Sequence, residues 1–255
     1  MNYINIFNID LPTYSIMIIL GLIIGNISAY IVIKKRKLIL EDFIILQAYG
    51  LFFGMLFAKL LYIWINRNII EWNRIFESKY FITLMQGGFV FYGGLIGGII
   101  GVIIAHIVHK IDVKKYFSNL IFCIPLVHGF GRIGCYLAGC CYGIPYSGYL
   151  HVRYHNIPYS LCDVDLFPVQ LVEAIGLFIL AFIFYRLTIK KENSMMNVYW
   201  YFISYSILRF ILEIFRYDNQ RGSFGTFSTS QWISIFIFVL MSFFLLRIKK
   251  KESCS

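Results

Sequence analysis

The run Tyr14-Ser-Ile-Met-Ile-Ile-Leu-Gly-Leu-Ile-Ile-Gly-Asn-Ile-Ser-Ala-Tyr-Ile-Val-Ile33, closed by Lys34-Lys-Arg-Lys37, decides the fold class. Its 20 residues carry no charge, and about that many are needed for a helix to cross the ~30 Å hydrocarbon core of a bilayer. Similar runs recur at about Phe43–Ile65, Phe89–Val108, Leu120–Ala138, Val169–Leu187, Val198–Phe215 and Ser230–Ile248. Turn or charge signals separate them. An unpaired backbone amide in lipid costs several kcal/mol, so each run is expected to be helical. The expectation is an all-α polytopic membrane protein with about seven transmembrane helices.

Composition points the same way. Of 255 residues, 59% are apolar and 14% charged, about half the charged share of a soluble domain. A soluble chain of this length could not hide so much apolar surface in one core. Twenty-five Phe and 19 Tyr against 5 Pro exclude disordered, collagen-like and disulfide-scaffold classes. The net charge of +10 sits in short clusters between apolar runs. No basic face interleaved with base-stacking aromatics stands apart from them, so no nucleic-acid partner is expected.

The clusters carry topology instead. Fourteen Lys and Arg fall on one set of alternate loops: Lys34, Lys35, Arg36, Lys37, Lys110, Lys114, Lys115, Arg186, Lys190, Lys191, Arg247 and Lys249 to Lys251. Six fall on the other: Arg67, Arg74, Lys79, Arg153, Arg216 and Arg221. That bias predicts an outside N-terminus and a cytoplasmic C-terminus. Asp10 and no Lys or Arg precede the first run, so a cleaved secretory signal is not expected. No internal repeat or low-complexity segment is evident, and residues 1–255 read as a single integral membrane domain. Its widest outer connection runs from about 140 to 167, with Gly143, Pro145, Gly148 and Pro158 as turn residues.

Three stretches carry chemistry. In Gln86-Gly-Gly-Phe-Val-Phe-Tyr-Gly-Gly94, glycine pairs flank Tyr92. Gly93 and Gly94 suggest backbone bending beside a ligand, whereas Gly97 to Gly101 suit close helix packing. In His128-Gly-Phe-Gly-Arg-Ile-Gly-Cys135, Arg132 lies within an apolar span. Holding it there costs at least ~2.5 kcal/mol, so it should face the interior and meet an anion. That anion is either a buried glutamate or a bulky ligand such as a lipid phosphate, admitted by the surrounding glycines. In Tyr205-Ser-Ile-Leu-Arg209-Phe-Ile-Leu-Glu213-Ile-Phe-Arg216, Tyr205, Arg209 and Glu213 share a helix face, with Arg216 near it. One acid cannot neutralise two arginines, which leaves positive charge for an anionic ligand. Gln170 and Glu173 share a face of the fifth span, and Glu173 suits a structural partner for an arginine.

The cysteines are Cys123, Cys135, Cys140, Cys141, Cys162 and Cys254. With no C-x-x-C and no His at finger spacing, no metal site is expected. Cys135, Cys140 and Cys141 read as small apolar fillers or a local disulfide, with a membrane thiol oxidoreductase kept as an alternative. A lipid transporter would also use Gly-rich spans and buried charges.

These motifs resemble the prolipoprotein diacylglyceryl transferase family over nearly the whole chain. Gly131-Arg-Ile-Gly134, continuing through Gly139 to Gly143, is similar to the family's G-R-I-G-N-F-x-N-G-x-x-x-G. Tyr92-Gly-Gly-Leu-Ile-Gly97 resembles H-G-G-L-I-G, and Arg209-Phe-Ile-Leu-Glu213-Ile-Phe-Arg216 resembles R-F-x-x-E-x-F-R. Pro168-Val-Gln-Leu-Val-Glu173 and Ser230-Gln231 match further elements, and Tyr14 resembles an early functional Tyr. Four positions depart: Tyr92 stands for the family's His, Cys135 for Asn, Cys140 for an acidic residue, and Phe167 for a His. A divergent member acting on another acceptor is the corresponding alternative.

The resemblance implies transfer of diacylglycerol from phosphatidylglycerol to the lipobox cysteine of a prelipoprotein signal peptide, releasing glycerol phosphate, in a bacterial plasma (inner) membrane. It implies no metal and no soluble cofactor; the partners are the two substrates and membrane lipids. Arg132 and Arg209 would bind phosphate, with Gly131, Gly134 and Gly143 allowing close approach. Glu213 would orient Arg209, and Tyr92 or Glu213 would assist thiol deprotonation. Tyr92, a phenol, is a better hydrogen-bond donor than base. Cys135 would contribute packing.

Overall fold

The computed structural model describes residues 3–6, 9–154, 161–190, 195–217 and 223–253. Pro158, Lys191, Arg221 and Cys254 lie outside the described residues. The side chains of Asp10 and Lys249 to Lys251 are likewise outside them. The chain is helical, with two small antiparallel hairpins: β1 (Tyr3–Ile6) with β2 (Ile9–Pro12), and β3 (Ser223–Phe224) with β4 (Phe227–Ser228). The helices are α1 (Thr13–Lys35), α2 (Leu40–Ile65), α3 (Ser78–Gln86), α4 (Phe91–His109), α5 (Val113–Leu120) and α6 (Cys123–Ala138). They continue with α7 (Val169–Lys190), α8 (Met195–Ile214) and α9 (Thr229–Ser253).

Among the described residues, α1, α2, α4, α7 and Thr229–Ile248 of α9 are long and apolar enough to cross a membrane. The pair α5 and α6 makes a sixth span if taken together, although a 54° bend separates its halves. The sequence led us to expect one helix over Leu120–Ala138. Pro125 explains the break, because it lacks an N–H and its ring crowds the carbonyl four residues back, at Ile121. The expected span Val198–Phe215 corresponds to α8, whose 20 residues include Asn197, Arg209 and Glu213.

The contacts gather into two compact units. One comprises Met1–Lys35 with Phe117–Ser255; the other is Arg36–Tyr116. In the second unit α2 packs along α4, and the approach is close enough to require glycine. A Cβ at Gly97 would lie 2.3 Å from the Phe53 carbonyl oxygen, and at Gly101 2.4 Å from that of Tyr49. Gly93 meets Phe57 in the same way. These glycines form the small-residue face that helices use to associate where lipid removes the hydrophobic drive. Lys59, buried on α2, donates to the carbonyls of Leu84 and Gly87 and lies 4.8 Å from the Tyr62 ring. Backbone carbonyls and aromatic faces thus satisfy this cation. Tyr116 donates to Asp42 at 2.9 Å and accepts from the Ile39 amide, fixing the start of α2.

In the first unit α1 packs on α6, α6 on α7, α7 on α8 and α8 on α9. The buried side is small and polar, including Gly129, Gly131, Gln170, Glu173 and Ser206. The outer side is large and apolar: Ile19, Ile23, Ile175, Ile179, Phe182 and Phe236 are each more than half exposed. A surface of that kind suits lipid as solvent.

Candidate functional site

The α6–α7–α8 faces bring the expected charged residues into one cluster within the first unit. Arg132 Nη2 lies 3.0 Å from Glu173 Oε1, and the other oxygen of Glu173 lies 3.6 Å from Arg209 Nη1. Arg209 Nη2 reaches Glu213 Oε2 at 2.5 Å, and Arg216 Nε lies 3.9 Å from the same oxygen. Glu173 has 1% side-chain exposure, and Arg132, the most open of the five, only 13%. Among the described residues, three guanidiniums and two carboxylates meet in this cluster. The sequence offered two roles for Arg132, a glutamate lock or an anion site. The lock with Glu173 is present, with Arg209, Glu213 and Arg216 beside it.

The glycine-rich α6 positions Arg132 by letting its neighbours come close. A Cβ at Gly129 would meet the Phe178 ring of α7 at 2.6 Å, and one at Gly134 would meet Tyr14 of α1 at 3.1 Å. Gly131 faces Ile18. The space beside these glycines is therefore filled by protein. Tyr14 is 42% exposed at the start of α1, against the last turns of α6. Tyr205 stands one turn before Arg209, with its hydroxyl at Arg132 and its ring 5.5 Å from that of His128.

Arg216 is fixed by backbone pairing. Gly143 bridges Arg216, Ile144 donates to the Phe215 carbonyl at 3.0 Å, and Tyr217 donates to that of Tyr142 at 3.2 Å. A side chain at Gly143 would lie 2.3 Å from the Phe167 oxygen and 2.9 Å from that of Phe215. The outer connection is laced in the same manner, with reciprocal amide bonds between Val152 and Leu166. Arg153 and His151 flank Asp165, and the Arg153 guanidinium holds that carboxyl below the usual range. Gln170, 1% exposed, donates to the Cys140 carbonyl at 2.8 Å and to the Tyr154 hydroxyl at 3.1 Å. Burial raises the Tyr154 phenol above its ordinary value.

One participant, Ser228, was not singled out from the sequence, whereas Ser230 and Gln231 were. Ser228 caps α9: its hydroxyl accepts from the Gln231 amide at 3.2 Å, and the Gln231 side chain accepts from the Ser228 amide at 3.0 Å. The same Ser228 hydroxyl donates to Glu213 at 3.1 Å, and Ser230 accepts from Arg209 at 3.3 Å. The S-x-x-Q spacing ahead of an apolar run is a capping box and was a readable signal. Tyr92, Gly93 and Gly94 belong to the second unit; Tyr92 opens α4 with 51% exposure, its ring beside that of Phe91. Cys135, Cys140 and Cys141 converge so that their sulfurs all lie within 4.8 Å of one another.

A multi-pass membrane protein with a buried arginine–glutamate cluster is the class defined by these features. A family model described as prolipoprotein diacylglyceryl transferase matches residues 2–247, and the chain belongs to that family. It is similar to the phosphatidylglycerol–prolipoprotein diacylglyceryl transferase of Clostridium tetani, with 34% identity covering 92% of each chain. It is also similar to the second such transferase of Clostridium perfringens, 38% identical over 73% of this chain and 71% of that one. The Clostridioides difficile transferase is 28% identical over 90% and 88%.

Proposed function

We propose that this chain transfers the diacylglyceryl group of phosphatidylglycerol to a prelipoprotein cysteine thiol, releasing glycerol phosphate. Membership of the family and its similarly named relatives support that reading. The structural observation that carries it is the buried cluster in which Arg132, Arg209 and Arg216 meet Glu173 and Glu213. The acceptor sulfur attacks the glyceryl carbon that bears the phosphate ester. The carbon–oxygen bond breaks, the electron pair stays on the leaving phosphate oxygen, and the thiol proton is lost. Bidentate guanidiniums stabilise that leaving charge well in a low dielectric.

Arg132 and Arg209 hold the phosphate in this scheme, with Glu173 and Ser230 fixing the guanidinium planes. Glu213 orients Arg209, and Gly143 seats Arg216 at the same cluster. The acceptor is the lipobox cysteine of a signal peptide. The chain works as one membrane domain of seven spans in a bacterial plasma membrane, N-terminus outside and C-terminus cytoplasmic, as the bias of Lys and Arg supports.

The test is incubation of the purified chain in phosphatidylglycerol vesicles with a lipobox peptide, followed by mass spectrometry. One diacylglyceryl group should appear on the cysteine, and none on a peptide carrying Ser there. An unmodified Cys peptide in the presence of folded protein would sink the transferase reading. Lipid movement across the vesicle without peptide modification would point to a transporter.

A further inference from the structure

The thiols of Cys135, Cys140 and Cys141 come from two kinds of backbone. Cys135 is on the last turn of α6 and 9% exposed. Gly139 then ends the helix in the left-handed conformation, φ 66°, and turns the chain back so that Cys140 donates its amide to the Cys135 carbonyl at 3.1 Å. Cys141 is itself left-handed, φ 58°, a conformation that L side chains rarely adopt. That strained turn carries the third sulfur to the other two. Buried Gln170 clamps the Cys140 carbonyl from α7. Among the described residues the cluster holds three ligand atoms of metal-binding type.

Zinc–thiolate bonds of about 2.3 Å in tetrahedral geometry place sulfurs roughly 3.8 Å apart. The observed separations, all within 4.8 Å, need only small side-chain rotations to reach that value. Three protein ligands with a fourth position open is the arrangement of a catalytic zinc site, whereas structural sites are closed by four. Arg132 interacts electrostatically with Cys135 and Cys141, and Arg216 with Cys141. Three thiolates on Zn2+ carry one net negative charge, which would lie beside these guanidiniums.

We propose that Cys135, Cys140 and Cys141 bind one Zn2+ whose open position takes the acceptor cysteine as a fourth thiolate. The three protein thiols release their protons to solvent when the ion binds. The acceptor thiol releases its proton on coordination, and its sulfur keeps the electron pair that forms the new carbon–sulfur bond. No oxidation or reduction is involved. The identity of the acceptor rests on the transferase reading above; the metal site does not. At pH 7 a thiol with pKa near ~8.5 is about 3% ionised, and coordination makes it thiolate throughout, at some loss of intrinsic reactivity. The net gain is about tenfold. Cys135 and Cys140 stand where the family resemblance places an amide and an acid, so the site assigns a task to both departures in place of the packing role expected for Cys135.

Cobalt is the probe. The chelated, purified chain should bind one equivalent of Co2+ with a sulfur-to-cobalt charge-transfer band and the intense ligand-field bands of a four-coordinate site. Cys135→Ser, Cys140→Ser and Cys141→Ser, with helicity matched to the parent, should each weaken binding about tenfold or more. A lipobox Cys peptide should strengthen the charge-transfer band, and its Ser counterpart should leave it unchanged. Chelation should slow transfer about tenfold, and Zn2+ should restore it. Absence of saturable Co2+ binding, or binding indifferent to all three substitutions, overturns the site. A spectrum blind to the Cys peptide, full transfer after chelation, or full transfer by protein with two of the three cysteines joined as a disulfide overturns its catalytic role. If neither apo nor zinc-loaded protein transfers lipid while the cobalt spectrum behaves as stated, the transferase reading fails and the metal site stands.

Discussion

Glu173→Gln removes one negative charge and almost no volume from the centre of the arginine cluster. The carboxylate is 1% exposed and serves two cations at once, Arg132 through Oε1 at 3.0 Å and Arg209 through Oε2 at 3.6 Å. An amide can accept from one guanidinium only by turning its own N–H groups toward the other. Among the described residues, the substitution leaves Glu213 as the carboxylate shared by the buried arginines. Removing one partner of a buried pair costs about 3–5 kcal/mol, because the remaining charge is uncompensated. The retained shape and single acceptor place Gln near the lower figure, about 3 kcal/mol. An anionic lipid stabilises parent and variant alike, but the variant has lost a negative charge and should bind it more tightly; a tenfold tighter Kd would recover about 1.4 kcal/mol of the loss. The assay is thermal unfolding in detergent micelles doped with either phosphatidylcholine or phosphatidylglycerol. The variant should unfold well below the parent in the first, and the gap should shrink in the second. Equal unfolding temperatures in phosphatidylcholine, or equal rescue by both lipids, would refute the view that Glu173 balances an anion-binding cluster.

Four further outcomes are expected, three from the geometry and one from the charge bias. Gly143→Ala should destroy the pairing that seats Arg216, with loss of transfer and of folded yield. Gly98→Ala, whose Cβ would sit 3.6 Å from the Gly50 oxygen, should be tolerated in the same expression and activity measurements. Asp165 has its carboxyl held low by Arg153, so its contribution is present above the ordinary pKa of ~3.9 and is lost as pH falls through the lower folded value. Amide exchange at Val152 and Leu166 should quicken only in that acid window, and Asp165→Asn should quicken it at neutral pH. Reporter fusions after Lys37 and Lys251 should report cytoplasm and one after Tyr149 the outside; an external signal from Lys251 would break the seven-span topology.

What could be read in advance was set by periodicity and charge. Tyr14–Ile33 announced α1 because nothing charged interrupts it, and Arg209 with Glu213 announced a shared face because helical spacing alone makes them neighbours. Glu173 was legible as some arginine's partner. Its joining of Arg132 to Arg209 depends on how α6, α7 and α8 pack, which no local pattern encodes. The break at Ile121 was signalled by Pro125 but outweighed by the length of the apolar run. Cys135, Cys140 and Cys141 share no helical face at their spacing. Only the left-handed turn through Gly139 and Cys141 brings them together, and a motif search cannot see that turn.

The most direct measurement is the rate of diacylglyceryl transfer from phosphatidylglycerol to a lipobox peptide by Arg132→Lys and Arg209→Lys, at matched amounts of folded protein. Lysine keeps the charge but cannot reproduce the planar fork that holds a phosphate through two bonds. Losing such a hold on the leaving group is worth about a hundredfold or more in rate. Each variant should therefore retain about 1% of parental transfer or less, whereas near-parental rates in both would contradict the assignment of this cluster to the donor phosphate.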